Sequence, residues 1–263
     1  EGFASLAALA IERARLSEQA NQAKILENTE RLQEALLNSI SHELRTPLVS
    51  ITGTLSTLTE VQDSGSIGAA EQSAWREMVE TAYEESQRLN LLVGNLLDMT
   101  RLEAGAFQLT LEPCDIQDLV GIALARFAQR RSGHKVQVSL PDELPLVTID
   151  VTLMVQALLN LLDNAAKYSP EEASIEIQGS LAQDRVILTV LDRGIGIPPV
   201  ELPHIFDKFF RSSRSRRIGG IGLGLSISKG IVEAHDGKIW AENRPGGGSA
   251  ISLSLPVHLA SEG

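Results

Sequence analysis

A single cysteine, Cys114, stands in 263 residues, so no internal disulfide can brace the fold. Such sparing use of thiols fits a reducing compartment. Aromatic residues make up only 4%, yet the 43% hydrophobic content is that of an ordinary folded protein and argues against disorder. Long apolar runs are missing too: "VILTVL" at 186–191 falls far short of the roughly 18 to 20 residues that a spanning helix needs. No signal peptide opens the chain, and a cytoplasmic fragment is expected. Positive charge is in deficit. A net charge of −11 argues against a nucleic-acid partner, because phosphate backbones are held by clustered Lys and Arg. Any anionic ligand must be met locally, and "DKFFRSSRSRR" at 207–217 sets Lys208, Arg211, Arg214, Arg216 and Arg217 against the single acid Asp207.

Glycine is also lacking between Gly2 and Gly53, and apolar residues there recur at three- and four-residue steps. That pattern predicts helix from Leu6 to about Leu58. Leu9, Leu16 and Ala23 lie seven apart, as do Ile25 and Leu32, which predicts a two-stranded coiled coil whose seam shifts near residue 24. After "VQDSGSIGAA" a second helix is expected from about Gln72 to Ala104, with Leu89, Leu92, Leu96 and Met99 on its apolar face and Gly105 as its stop. Two such helices form a hairpin with too little core to stand alone. Pairing two copies into a four-helix bundle buries both faces, so a homodimer is expected.

Beyond Gly105 strands and helices alternate. "FQLTLE", "VQVSL", "SIEIQ", "RVILTVL", "KIWAE" and "AISLSL" read as strands; "VTLMVQALLNLLDNAAKY", after Asp150, and "GLSISKGIVEAH" read as helices. The expected fold is therefore α plus α/β: a long helical hairpin followed by an α/β sandwich with a mostly antiparallel sheet. The expected divisions are a helical linker at 1–37, a helical hairpin at 38–106 and an α/β domain at 107–263.

Three glycine clusters carry the chemical signal. "DRGIGIP" at 192–198 follows a strong strand, "GGIGLGLS" at 219–226 opens a helix, and "RPGGGSA" joins the last two strands. Glycines before a helix let backbone N–H groups approach an anion, and the helix dipole favours negative charge there. "GIGLGL" is not a dinucleotide fingerprint, since no strand directly precedes it. The glycines at 246–248 read simply as a hairpin loop. In "NLLDNAAKY", Asn160 and Asn164 share a helix face, with Lys167 and Tyr168 just beyond. Amide oxygens suit Mg²⁺, which leans on substrate phosphates; the same asparagines could be polar surface residues. Asp192 ends a hydrophobic strand, where it could accept from an exocyclic amine or initiate a turn.

"SHELRTPL", "NLLDNAAKY", "DRGIGIP", "FDKFFR" and "GIGLGL" come in the order and at the distances of the H, N, G1, F and G2 boxes of sensor histidine kinases, and residues 38–256 resemble that family. "GFASLAALAIERARL" is similar to the last helix of a GAF sensor domain, as in the potassium-responsive KdpD-type kinases, which would place the chain just downstream of an absent sensor in a parent that could be membrane-anchored. The resemblance implies a dimerisation and phosphotransfer hairpin, then a Bergerat-type ATP-binding domain. It makes His42 the phosphoacceptor and Glu43 the neighbouring acid. It makes Asn164 the Mg²⁺ ligand beside Asn160, Lys167 and Tyr168. Asp192 becomes the adenine-reading aspartate, with Gly194 and Gly196 shaping the pocket. Arg211 closes the F box, and Gly220, Gly222 and Gly224 hold the phosphates. Two positions depart from the pattern: Ile221 replaces a common threonine or serine, and "HDG" at 235–237 replaces a frequent "HGG".

On this resemblance ATP is the phosphoryl donor and a receiver-domain aspartate on a response regulator is the acceptor. A neutral imidazole offers one unprotonated ring nitrogen to attack, and Glu43 could take the proton from the other. Thr46, one turn after His42, completes the E-x-x-T spacing that accompanies phosphatase activity in related kinases. Pro47 lacks the N–H that would bond the carbonyl of Glu43, which predicts a bend beside the phosphoacceptor. Two rivals remain, a Bergerat ATPase that clamps without phosphotransfer and a dimeric scaffold with a vestigial pocket.

Overall fold

The computed structural model describes residues 13, 15, 18, 40–59, 69–103, 109–130, 133–215 and 222–257. The expected coiled-coil seam, the turn after residue 60, Gly105, Arg216, Arg217 and Gly220 lie outside them. The chain divides into two compact units, Glu1–Leu89 and Asn90–Gly263.

In the first unit, α1 covers residues 40–59 and runs unbroken through Pro47, which is buried. Its inner face follows helical spacing, with Pro47 and Leu58 buried and Ile51 and Thr54 partly so. Threonines reinforce the outer backbone: Thr46 donates to the His42 carbonyl at 3.1 Å, Thr52 to Leu48 at 2.8 Å and Thr57 to Gly53 at 3.1 Å. The second helix, α2 (Ala69–Glu103), begins in this unit and ends in the next. Its expected apolar face is legible in the burial of Leu92 and the partial burial of Leu89, Leu96 and Met99.

The second unit stacks three helices, α3 (Ile116–Arg130), α4 (Val151–Tyr168) and α5 (Gly224–Ala234), on a five-stranded mixed sheet. The strands are β2 (Val136–Ser139), β4 (Ile175–Ala182), β5 (Arg185–Leu191), β6 (Lys238–Asn243) and β7 (Ser249–Pro256), ordered β2-β4-β5-β7-β6. Only β2 and β4 run parallel; the other pairs are antiparallel. A separate pair joins β1 (Glu112–Cys114) to β3 (Val147–Ile149). Alternation explains the sheet. In β5 the residues Val186, Leu188 and Val190 are buried and face Leu255, Leu253 and Ile251 of β7 in register. Against this face lie Met154, Leu158, Leu161 and Leu162 of α4 and Ile227 and Ile231 of α5, all buried, each stabilising the fold by about 1.5–3 kcal/mol before entropy is counted.

Asp150 fixes where α4 begins. One carboxylate oxygen caps the Leu153 N–H at 3.1 Å, the other accepts from Thr110 N–H at 3.0 Å, and its own N–H donates to Nε2 of buried His235 at 2.9 Å. His235 is thus a neutral structural residue whose other nitrogen donates to the Ile231 carbonyl at 2.7 Å. Burial, and then Asp118, Asp115 and Glu112, push the Cys114 thiol up, so it stays protonated and is a poor nucleophile.

Two expectations shift. Of the strand expected over "FQLTLE", Phe107 and Gln108 lie outside the described residues, and of the rest only Glu112 is in a strand, which runs on to Cys114, because Thr110 turns its N–H to Asp150 instead of to a ladder. Helix α3, which strand-by-strand reading passed over, has Ile116, Leu119, Val120, Ala123 and Phe127 buried at helical spacing behind Asp115, whose Oδ1 accepts from Gln117 N–H at 2.7 Å.

Asp236, the departure within "HDG", has φ of 54°, a left-handed conformation that glycine adopts without strain. Asp236→Gly is expected to raise unfolding stability by about 0.5–1 kcal/mol in urea titration, since the strain removed exceeds the extra freedom of the unfolded chain. The Asp236 carbonyl, which accepts from Arg185 Nη2 at 2.5 Å, survives the change.

Candidate nucleotide site

Asp192 leaves β5 buried at 6% exposure, and the chain converges on it from three directions. Its Oδ1 accepts from Gly194 N–H at 2.7 Å and Ser249 N–H at 3.2 Å. The Ser249 hydroxyl donates to Oδ2. Its own N–H meets the Ser249 carbonyl at 2.9 Å, and Arg244 Nη1 donates to its carbonyl at 3.1 Å. A buried carboxylate ordinarily needs a cation or several donors. Here neutral donors meet its carboxylate oxygens while the Arg244 guanidinium takes the backbone carbonyl and, through Nη2, Glu176 at 3.0 Å.

Close backbone approach requires two of the surrounding glycines. A Cβ on Gly194 would lie 2.5 Å from the Tyr168 carbonyl oxygen, which brings the "DRGIGIP" turn directly onto the end of α4. A Cβ on Gly248 would lie 2.1 Å from the Asp192 carbonyl oxygen. The three glycines at 246–248 form the β6–β7 hairpin loop as expected, and Gly248 also lets that loop close over Asp192. Asn243 holds the far side of the turn: Ile197 N–H donates to its Oδ1 at 2.8 Å and its Nδ2 donates to the Ile197 carbonyl at 2.6 Å.

Along α4, Asn160 is buried and its Nδ2 donates to the Gly224 carbonyl at 3.3 Å, tying α4 to the first residue of α5. One turn on, Asn164 is half-buried, as are Lys167 and Tyr168, and the Lys167 ammonium sits 5.2 Å from the Tyr168 ring centroid. Helix α5 begins at Gly224 with no side-chain cap, in contrast to α4; Ser226, which could have turned back to cap it, instead donates to the Leu223 carbonyl at 2.9 Å. Among the described residues no side chain caps its first N–H groups, which suit an anion. Gly222, with φ of 78°, packs on the backbone of Phe209 and Phe210, and Phe209 N–H donates to the Gly222 carbonyl at 3.0 Å.

Asn160, Asn164, Lys167, Tyr168, Asp192, Gly194, Gly196, Gly222 and Gly224 therefore lie on adjoining elements of one unit, with exposed Arg211 at the end of the Phe209–Phe210 segment. His42, Glu43 and Thr46 belong to α1 in the other unit; His42 and Thr46 are exposed and Glu43 is partly buried. Ser249, Arg244 and Asn243 are additions that sequence reading did not single out. Only the polar cluster "ENRPGGGS" itself hinted at them.

The segment after Phe210 is fastened by Glu201. Ser213 donates to Glu201 Oε1 through its hydroxyl at 2.5 Å and its N–H at 3.2 Å, and Arg214 Nη1 donates to the Ile195 carbonyl at 3.3 Å. The Ser212 and Ser213 hydroxyls hold the Glu201 carboxyl below its ordinary value of 4.5. A lowered value means that the anchor is fully present above about pH 4.5 and is lost as pH falls through the lowered value. Glu201→Gln is expected to speed amide exchange at Ser213 severalfold at neutral pH, measured by NMR, while exchange in the α4 core stays unchanged.

Comparison with known proteins bears on this arrangement. Residues 149–259 match the family of histidine kinase-, DNA gyrase B- and HSP90-like ATPases, and residues 32–105 match the His Kinase A (phospho-acceptor) domain. The chain is 38% identical over 256 residues to the sensor protein KdpD of Clostridium acetobutylicum, covering 96% of this chain and 28% of that one. It is 38% identical over 263 residues to KdpD of Escherichia coli K12, covering 100% and 28% respectively. The chain thus spans little more than a quarter of those relatives. Among solved structures, the mycobacterial sensor histidine kinase MprB superposes with a TM-score of 0.50 at 33% identity, covering 55% of this chain and 97% of that one. Full-length ShkA in complex with AMPPNP superposes with a TM-score of 0.60 at 27% identity, covering 85% of this chain and 45% of that one.

Proposed function

Because the chain belongs to the sensor histidine kinases of two-component systems, we propose that it is a catalytic core that phosphorylates His42 from ATP and passes the phosphoryl group to a receiver-domain aspartate. The observation that carries this reading is Asp192, a buried carboxylate whose oxygens are held by neutral donors at the mouth of two glycine turns. Oδ1 has both in-plane positions filled, while Oδ2 has one filled by Ser249 and one left to accept an exocyclic amine such as that of adenine. The uncapped start of α5, with Gly222 and Gly224, takes the phosphates; Lys167 and Arg211 add positive charge.

Mg²⁺ fits the donor set around Asn164. Among the described residues no three acidic, His or Cys side chains form a metal cluster, and a single amide oxygen suits an ion that leans on phosphates and waters. When bound there, Mg²⁺ offsets charge on the transferring group.

On α1, exposed His42 presents the attacking imidazole, Glu43 takes the proton from its far nitrogen, and the Thr46 hydroxyl stays free to accept from water during hydrolysis of the regulator's aspartyl phosphate. Trp75, Val79 and Tyr83 are exposed at four-residue steps on α2, and Leu48, Val49 and Leu55 are exposed on α1. Apolar rows of this kind support a homodimer built on the hairpin. The divisions proposed are a linker at 1–37, the hairpin at 38–106 and the ATP-binding domain at 107–263. Among the described residues no helix is long and apolar enough to cross a membrane.

The test is incubation with γ-labelled ATP and Mg²⁺. Protein-bound label that resists alkali and is lost in acid supports the kinase. Phosphate release with no protein-bound label would replace it with the clamping ATPase.

A further inference from the structure

Glu43 does not lie open beside His42. Consecutive helix residues project about 100° apart, and this step leaves His42 exposed while turning Glu43 towards α2, where its side chain keeps 18% exposure. There its Oε2 lies 3.7 Å from Arg88 Nη2. The same guanidinium offers Nη1 to Glu85 Oε1 at 3.8 Å, one turn earlier on α2. Glu85 Oε2 is enclosed and, among the described residues, has no hydrogen-bond partner. One cation therefore stands between two carboxylates, at ion-pair lengths too long for tight hydrogen bonds. Exchange between the two partners costs little at such lengths and at Arg88's 45% exposure.

We propose that Arg88 is a positioning residue that restrains the proton acceptor: Glu43 is held by Arg88 at rest and is released to His42 as the guanidinium moves to Glu85. This rests on the reading of Glu43 as the base. In the step itself, one imidazole nitrogen forms the bond to the γ-phosphorus as the bond from that phosphorus to the bridging oxygen breaks. ADP departs with the electron pair, and the proton on the other imidazole nitrogen passes to the freed Glu43 carboxylate. While paired to Arg88, that carboxylate is turned away and its charge is partly neutralised. The enclosed oxygen of Glu85 is the acceptor that makes the exchange reversible, so Glu85 and Glu43 compete for one cation.

Initial rates of phosphohistidine formation on the whole chain with Mg-ATP test this. Arg88→Gln is expected to raise kcat about threefold with KM for ATP unchanged, the scale of an ion pair of this exposure. Arg88→Lys keeps the charge and is expected to match the parent. Glu85→Gln, which removes the competing acceptor, is expected to lower kcat. In a Glu43→Gln background, Arg88→Gln is expected to change nothing. An unchanged or lowered kcat in Arg88→Gln, a raised kcat in Glu85→Gln, or an Arg88→Gln effect that survives in Glu43→Gln would overturn the proposal and leave the kinase reading intact. A parent that forms no phosphohistidine overturns both.

Discussion

Replacing His42 by glutamine is expected to remove all acid-labile label from the protein while nucleotide affinity stays at the parent value. The side chain is exposed on α1, and glutamine is a good helix former, so the substitution is expected to shift unfolding by no more than about 0.5 kcal/mol. The hydrogen bond from Thr46 goes to the His42 backbone carbonyl and persists whatever the side chain. What disappears is the nucleophile: a carboxamide nitrogen has its lone pair delocalised into the carbonyl and does not form a phosphoramidate. Label counted after gel separation, with calorimetry of an ATP analogue on the same sample, separates loss of chemistry from loss of binding. Residual alkali-stable label in His42→Gln, at even a tenth of the parent's level, would place the phosphoacceptor elsewhere.

Local patterning explains what could be read in advance. The bounds of β5 and α4 follow from their own residues: β5 alternates with period two, and α4 opens on an aspartate and ends where its apolar stripe ends. Local backbone demand accounts for two of the glycine-bearing runs, since Gly194 packs on the Tyr168 carbonyl and Gly222 on the backbone of Phe209 and Phe210. What escaped depends on distance along the chain. Arg244 reaches Asp192 and Glu176 across more than fifty residues, and nothing near "NRP" says that its guanidinium will stop there. Helix α3, by contrast, carries a local signal, since its buried residues keep helical spacing on either side of Gly121. The parallel β2–β4 pair is likewise a property of a connection through α4, invisible in either strand alone. Glu43 shows the same limit at the phosphoacceptor: its neighbour in sequence is His42, but its partner in space is Arg88, forty-five positions later.

Asp192→Asn is expected to weaken ATP binding by about 100-fold or more, equivalent to about 3 kcal/mol, and to destabilise the second unit by about 2 kcal/mol. The side chains are nearly the same size, so packing is not the cause. Asp192 is surrounded by donors: Gly194 N–H and Ser249 N–H on one oxygen, the Ser249 hydroxyl on the other. Asparagine must place an NH₂ group in one of those two positions. If the amide nitrogen takes the Oδ1 position it meets two backbone N–H groups that cannot turn away. If it takes the Oδ2 position, the Ser249 hydroxyl can rotate to accept, but the lone pair left for a base amine is replaced by a donor. The second arrangement is less costly to the fold and is fatal to recognition of an amine, so affinity falls further than stability. Ser249→Ala, which removes one donor and leaves the carboxylate, is expected to lose about tenfold, a single hydrogen bond's worth. Titration calorimetry with a non-hydrolysable ATP analogue and thermal unfolding of the same variants give the two readouts. An Asp192→Asn variant that binds the analogue at parental affinity would mean that the base is read elsewhere and that the carboxylate serves only to close the β6–β7 loop onto the end of β5.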